Sequence, residues 1–183
     1  MILTITINSC VDKTVVFKNG FKLNADHRAD NVICSAGGKG VNVSRVMTRF
    51  GSDNLCLAVI GKKDEQFFES ELKTEQIKHR FVLVPGDTRI NLTILDEKNR
   101  VSTRVLEPGV QVDKPVIEKI KCAILDSAEQ YARTAHCSYA VFSGSLLPGI
   151  PKTFYREISG MLSNRNIRLV LDSSSDALAY GLS

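Results

Sequence analysis

Ala36-Gly37-Gly38-Lys39-Gly40-Val41-Asn42-Val43-Ser44-Arg45 is the stretch on which the reading of this chain turns. Three glycines flank a lysine, and a helical pattern follows at once. Val43, Val46, Met47 and Phe50 form an apolar stripe at helical spacing, closed by Gly51. A glycine-rich turn opening a helix gathers unpaired N–H groups at the positive end of the helix dipole. That is an anion site, and glycines let a ligand approach the backbone closely. Lys39 would add a point charge. The same residues also fit a tight turn with an exposed lysine, and the stretch alone weighs both equally. It is no standard nucleotide loop. The Walker A spacing fails because Gly40 follows Lys39, and the dinucleotide fingerprint lacks its third glycine.

Working outward, Ile2–Ile7 alternates β-branched and polar residues like a strand. Short β-like pieces follow at Thr14–Phe17, Phe21–Leu23 and Arg28–Ile33, with Asn19-Gly20 as a hairpin signal. Leu55–Ile60 is a continuous apolar run, as in a buried parallel strand. Asp64–Gln76 reads as a helix. Phe81–Val84, Ile90–Leu95 and Val101–Leu106 read as strands, and Pro115–Tyr131 as an amphipathic helix with Val116, Ile120, Ile124 and Leu125 inward. Tyr139–Phe142 and Ile167–Leu171 are buried strands, and Lys152–Ser163 and Ser175–Leu182 are helices. Buried strands alternating with helices mean an α/β layered sheet. The polar-alternating pieces near 14–33 and 90–105 do not fit a buried parallel sheet and read as a half-exposed flap or lid.

The 183 residues suffice for one domain with a real core, and 43% hydrophobic and 24% charged residues are ordinary for a soluble protein. A net charge of +4 is spread along the chain without a basic cluster, which argues against nucleic acid. The five cysteines are odd in number and lack CxxC spacing, so neither a disulfide framework nor a zinc site is expected, and the compartment is read as reducing and cytoplasmic. Cys56 and Cys137 read as core residues. His27, His79 and His136 have no metal-ligand spacing, and no metal site is expected. The N-terminus reads as a strand and not as a signal peptide, and no apolar run reaches membrane-spanning length.

Four further constellations carry chemistry. Asp12, in Asn8-Ser9-Cys10-Val11-Asp12, follows the first strand, where open α/β sheets bind ligands, and suits a polyol or a solvated turn. Arg89 and Asn91 share a strand face, and Arg104 on the next strand is placed to converge with them on a phosphate, unless these are plain exposed arginines. Ser143-Gly144-Ser145 and Asp172-Ser173-Ser174 end buried strands, as ligand contacts or as ordinary strand-to-helix turns with Ser174 or Ser175 as a cap.

Together these segments resemble the PfkB (ribokinase-like) carbohydrate kinases, nearest their 1-phosphofructokinase and tagatose-6-phosphate kinase branch. The resemblance rests on Asn8…Asp12, Ala36 to Arg45, Thr88-Arg89-Ile90-Asn91, Glu107-Pro108-Gly109, Ser143-Gly144-Ser145-Leu146…Pro148-Gly149 and Leu171-Asp172-Ser173-Ser174, in order along the whole chain. It implies a central parallel sheet between helices, with a small β-lid over the substrate. It implies that Asp12 and Asn42 hold sugar hydroxyls and that the Gly37-Gly38 backbone lies against the sugar. It offers Arg28, Lys39, Arg89 and Arg104 for the phosphate, with Asn91 and Ser143 lining the site, and Mg-ATP as cofactor. Lid strands that pair between subunits imply a homodimer.

The expected reaction is phosphorylation of fructose 1-phosphate to fructose 1,6-bisphosphate, with tagatose 6-phosphate as the alternative substrate. The sequence departs from the family pattern at Ser9, where proline is usual, at the additional Leu147, at Gly61-Lys62-Lys63 and at Ser175. The family's Asn-x-x-Glu and Gly-Ala-Gly-Asp motifs, the latter carrying the catalytic base, are expected beyond Ser183. The 183 residues therefore read as an incomplete kinase domain with no catalytic residue of its own and with Ile167–Leu171 as an exposed apolar edge. A non-catalytic fragment that binds sugar phosphate or dimerises is the competing expectation.

Overall fold

The computed structural model describes residues 2–135, 139–163, 167–173 and 175–182. Cys137, His136 and Ser174 lie outside them. Five strands, β1 (Ile2–Thr6), β4 (Asn54–Gly61), β5 (His79–Val84), β8 (Tyr139–Ser143) and β9 (Arg168–Asp172), form a sheet in the order β5-β4-β1-β8-β9, with all pairings parallel. Their carboxyl ends therefore share one edge. The other four strands, β2 (Cys10–Phe17), β3 (Asn31–Gly37), β6 (Arg89–Asp96) and β7 (Val101–Leu106), form a second sheet in the order β3-β2-β6-β7. β1 passes into β2 within three residues, so the second sheet stands at that carboxyl edge.

Every residue of β4 is buried, because both faces of the main sheet are covered. Leu55, Leu57 and Val59 join a core with Leu3, Ile5, Phe142 and Phe154 beneath α3 (Lys114–Ala135) and α4 (Phe154–Ser163). Cys56, Ala58 and Ile60 face the other way, into a smaller core with Val41, Phe68 and Leu72 from α1 (Lys39–Arg49) and α2 (Glu65–Thr74). The α/β architecture, with a parallel sheet between helices, is as expected. α5 (Ser175–Leu182) packs on α4 and β9. Among the described residues β9 pairs only with β8; none of its residues is buried and Val170 is 43% exposed, so it is an apolar edge and not the buried strand its apolar run suggests. No helix of the described residues is long and apolar enough to cross a membrane.

Three local features differ from, or go beyond, what the sequence pattern indicates. The stripe Val43, Val46, Met47, Phe50 does not carry α1 onto the sheet: Val46 is 49% and Phe50 83% exposed, and the buried positions are Gly40, Val41 and Ser44. The helix docks through small and polar groups. Ser44 Oγ meets Thr4 Oγ1 at 2.7 Å, and the Val41 N–H donates to Thr6 Oγ1 at 3.0 Å. Second, Asn19-Gly20 closes no tight hairpin. β2 and β3 are antiparallel neighbours joined through residues 18–30, and Phe21–Leu23 is not a strand. Phe21 and His27 fold back on Phe17 with ring centroids 5.2 and 5.4 Å away, and the Phe21 N–H donates to Asp96 Oδ2 at 2.9 Å. Third, β2 starts at Cys10 and β3 runs from Asn31 to Gly37. Asp12 thus lies inside a strand, and only Gly38 remains between strand and helix.

The four described cysteines are free. Cys56 is fully enclosed between β4 and α1, and burial pushes its thiol from 9.0 up to about 11, against hydrogen bonds from Ser44 and Thr4 that favour the thiolate. A raised folded value means stability that is complete below pH 9.0 and lost as pH climbs toward 11. Each pH unit in that window is expected to cost about 1.4 kcal/mol from this thiol. Urea unfolding at stepped pH checks this: Cys56→Ala should flatten the alkaline slope, and an equal slope in the variant would contradict the assignment.

Candidate functional site

The register of the second sheet builds the site. Asp12 pairs with Ser35 on one side and Asn91 on the other, and Cys10 pairs with Gly37 and Arg89. Paired residues point to one face, so Cys10, Asp12, Gly37, Arg89 and Asn91 stand together. Asn91 Nδ2 donates to Asp12 Oδ1 at 3.1 Å and to Cys10 Sγ at 2.9 Å, and the Cys10 thiol donates to the same Asp12 oxygen at 3.4 Å. The other oxygen, Oδ2, lies 2.2 Å from where a Cβ on Gly37 would stand. Only a glycine lets the carboxylate lie across the strand at this point. Burial, then the Asp12 charge, pushes the Cys10 thiol up to about 12, so it remains a proton donor at neutral pH. The cationic charges of Arg89 and Arg104 act on the same thiol in the opposite sense, which places both arginines within electrostatic reach of the cluster.

Arg89 is more engaged than an anion clamp would be. Its guanidinium donates to the carbonyls of Asn8 (3.1 Å), Ser9 (3.4 Å) and Glu107 (3.0 Å), and Glu107 Oε2 accepts the Ile90 N–H at 2.7 Å. Asn8, buried at the end of β1, donates to Pro108 O (2.9 Å), Ser145 Oγ (3.2 Å) and Leu146 O (3.3 Å). The Asn8 and Glu107-Pro108-Gly109 segments are therefore braces that tie the two sheets together. Asn8 Oδ1, Asn91 Oδ1 and Ser143 Oγ are buried without a partner among the described residues.

Gly38 caps α1 with φ at +127°, and a Cβ there would meet Thr6 Cγ2 at 2.7 Å. Lys39, the first helical residue, points to the end of β9, where its ammonium lies 3.5 Å from both Asp172 carboxylate oxygens. Asn42 is exposed one turn further along α1, beside Lys39 and Asp172 in an open groove of about 360 Å³. Ser143, buried as the last residue of β8, pairs in register with Asp172 of β9. Arg28 lies in the loop before β3, and no hydrogen bond or ion pair among the described residues links it to the Asp12 cluster. Of the ten sequence candidates, the fold groups Asp12, Gly37, Arg89, Asn91 and Arg104 on one side, and Gly38, Lys39, Asn42 and Ser143 on the other.

Sequence reasoning passed over Cys10, Arg45 and Glu75. The Arg45 guanidinium meets the Glu75 carboxylate through two nitrogens and also reaches Asn42 Oδ1 and Ala36 O. The three-residue spacing of Asn42 and Arg45 on α1 was a visible signal; Glu75, thirty residues on, offered none. Among the described residues no three Asp, Glu, His or Cys side chains assemble to hold a metal ion.

A parallel sheet carries a second β-sheet at its carboxyl edge, with a fixed carboxylate on that sheet and a helix N-terminus beside it, which is an α/β layout with a polar cluster at the sheet edge. Residues 5–181 match the pfkB family carbohydrate kinase pattern, and the chain belongs to that family. It is 33% identical over 178 residues to the tagatose-6-phosphate kinase of Staphylococcus epidermidis, a match spanning 97% of this chain and 54% of that protein. Its fold is similar to a possible 1-phosphofructokinase of Thermotoga maritima, with a TM-score of 0.84 and 26% identity over 100% of this chain and 56% of the other. Phosphofructokinase-2 of Escherichia coli, in complex with fructose-6-phosphate, shares the fold at a TM-score of 0.86, with 23% identity over 99% of this chain and 57% of that one. The chain spans about half the length of the relatives it matches.

Proposed function

We propose that this chain carries the sugar-phosphate half of a hexose-phosphate kinase site, with fructose 1-phosphate as the preferred ligand and tagatose 6-phosphate as the alternative. The kinase class follows from the family and its named relatives, and kinases of this family use ATP. The observation that carries the reading is the Asp12 carboxylate. One oxygen is fixed by Asn91 and Cys10, and the other lies over Gly37, clear to accept a sugar hydroxyl. Asn42 is the second hydroxyl contact, and the Gly37-Gly38 backbone lies along the sugar. Arg104 and Lys39, with the uncommitted N–H groups of Arg89, draw the phosphate by charge. Phosphoryl transfer needs a base to take the hydroxyl proton, and the reading assigns that base to no residue between 1 and 183.

The second sheet is read as a lid. Val32 (49%), Val101 (54%), Val105 (52%) and Leu106 (56%) stand exposed on it, and this supports a homodimer formed through the lid. The same apolar surface favours, as a second reading, a non-catalytic dimerising fragment that binds sugar phosphate without turnover. Titration calorimetry with fructose 1-phosphate, tagatose 6-phosphate and unphosphorylated fructose tests the ligand class. Saturable binding of a hexose phosphate, about tenfold or more tighter than of fructose and weakened by salt, is expected. Equal binding of fructose would remove the phosphate from the account.

A further inference from the structure

We infer that Arg45 is a positioning residue that turns Asn42 into a hydrogen-bond donor toward the ligand, with Glu75 as its anchor. This rests on the reading of Asn42 as a hydroxyl contact. An asparagine amide on an exposed helix face can present either its oxygen or its nitrogen, and nothing in its own rotamer decides which. Here the choice is made by a neighbour. Arg45, one turn on, donates through one terminal nitrogen to Asn42 Oδ1. Its other terminal nitrogen donates to Ala36 O at 2.9 Å and to Glu75 Oε1 at 2.7 Å, while Nε meets Glu75 Oε2. The pair is bidentate and mostly shielded, with side-chain exposures of 18% and 25%.

Three consequences follow. Asn42 Oδ1 faces a donor, so the two N–H groups of Nδ2 are what the amide offers to the groove. Four of the five Arg45 donors are committed within the chain, so this arginine is a brace and not a phosphate ligand. Its hold on Ala36 O also joins the end of β3, immediately before Gly37-Gly38, to the helix bearing Asn42. The site then offers an acceptor at Asp12 and a donor at Asn42. A ligand hydroxyl, which both donates and accepts, meets either one; a methyl group meets neither.

The test is a double-mutant cycle with fructose 1-phosphate as the probe, read by calorimetry on the full chain. Arg45→Met should weaken binding about five- to tenfold in the presence of Asn42, the worth of one hydrogen bond, and have almost no effect in an Asn42→Ala background. Equal losses in both backgrounds would show that Arg45 acts only on the fold, and no loss in either would remove it from the site; both outcomes overturn the inference. Arg45→Lys and Glu75→Gln, which disturb packing less, should show the same dependence on Asn42 if Arg45→Met does not fold. A ligand-free measurement separates this claim from the choice of ligand. Relaxation of the Asn42 side-chain amide in ¹⁵N-labelled protein should show it ordered in the wild type and mobile in Arg45→Met or Glu75→Gln. An amide already mobile in the wild type contradicts the inference, whether or not a hexose phosphate binds.

Discussion

Gly40→Ala should lower the folding stability of the chain by about 2–3 kcal/mol, although alanine is the better helix former by about 1 kcal/mol. The opposition between propensity and packing makes the experiment decisive. Gly40 sits in the first turn of α1, and a Cβ there would come 2.5 Å from Thr6 Oγ1, 2.9 Å from Ile5 O and 3.0 Å from the Ile5 carbonyl carbon. Two of these three neighbours are backbone atoms of the central strand and cannot rotate away. The helix must instead lift, which stretches the Val41 N–H to Thr6 Oγ1 bond of 3.0 Å and the Thr4 to Ser44 contact of 2.7 Å. Urea midpoints measured on both proteins check the sign. A variant as stable as the parent, or more so, would mean that α1 does not lie this close to β1. Because α1 carries Lys39 and Asn42, the same lift should also weaken ligand binding.

That close docking explains which parts of the molecule were legible in the sequence. The run Leu55–Ile60 announced a strand buried on both faces, and β4 is one. The alternating segments near 14–33 and 90–105 announced a separate, half-exposed sheet, and four strands form it. The docking face of α1 was not legible, because apolar periodicity finds the buried side only when burial is achieved with large apolar residues. Here the contact is made by Gly40 and Ser44 against two threonines, which a hydrophobic pattern does not register. The placement of Asp12 after a strand failed for a related reason. Aspartate is a poor strand residue in general, and its place in β2 depends on Asn91 and the absent side chain of Gly37, partners 79 and 25 residues away. Asn19-Gly20 carried a true local turn signal, yet the ring cluster of Phe17, Phe21 and His27 extended the connection well beyond two residues. The role of Gly61 was also hidden. A Cβ there would meet the backbone of Asp87 and Thr88 at 2.4 Å, a close approach between segments that no nearby residue signals.

The effect expected to be largest on function belongs to Asp12. Removing its carboxylate with Asp12→Ala should weaken hexose-phosphate binding by about 100-fold, corresponding to roughly 2–3 kcal/mol for a charge-assisted hydrogen bond to a ligand hydroxyl. The fold should tolerate the change. Asn91 keeps the Cys10 sulfur as an acceptor at 2.9 Å, and Asp12 is only part-buried, so no isolated charge is left in the interior. Asp12→Asn should fall between the two proteins, since an amide oxygen still accepts a hydrogen bond without the charge. The measurement that bears most directly on the account is therefore calorimetric titration of fructose 1-phosphate into the chain and into Asp12→Ala, with thermal unfolding of both recorded beside it. Saturable binding by the parent, lost in a variant that melts at nearly the same temperature, is the predicted result. Binding that survives Asp12→Ala unchanged would contradict the claim that this carboxylate, fixed by Asn91 and Cys10 over Gly37, receives the sugar.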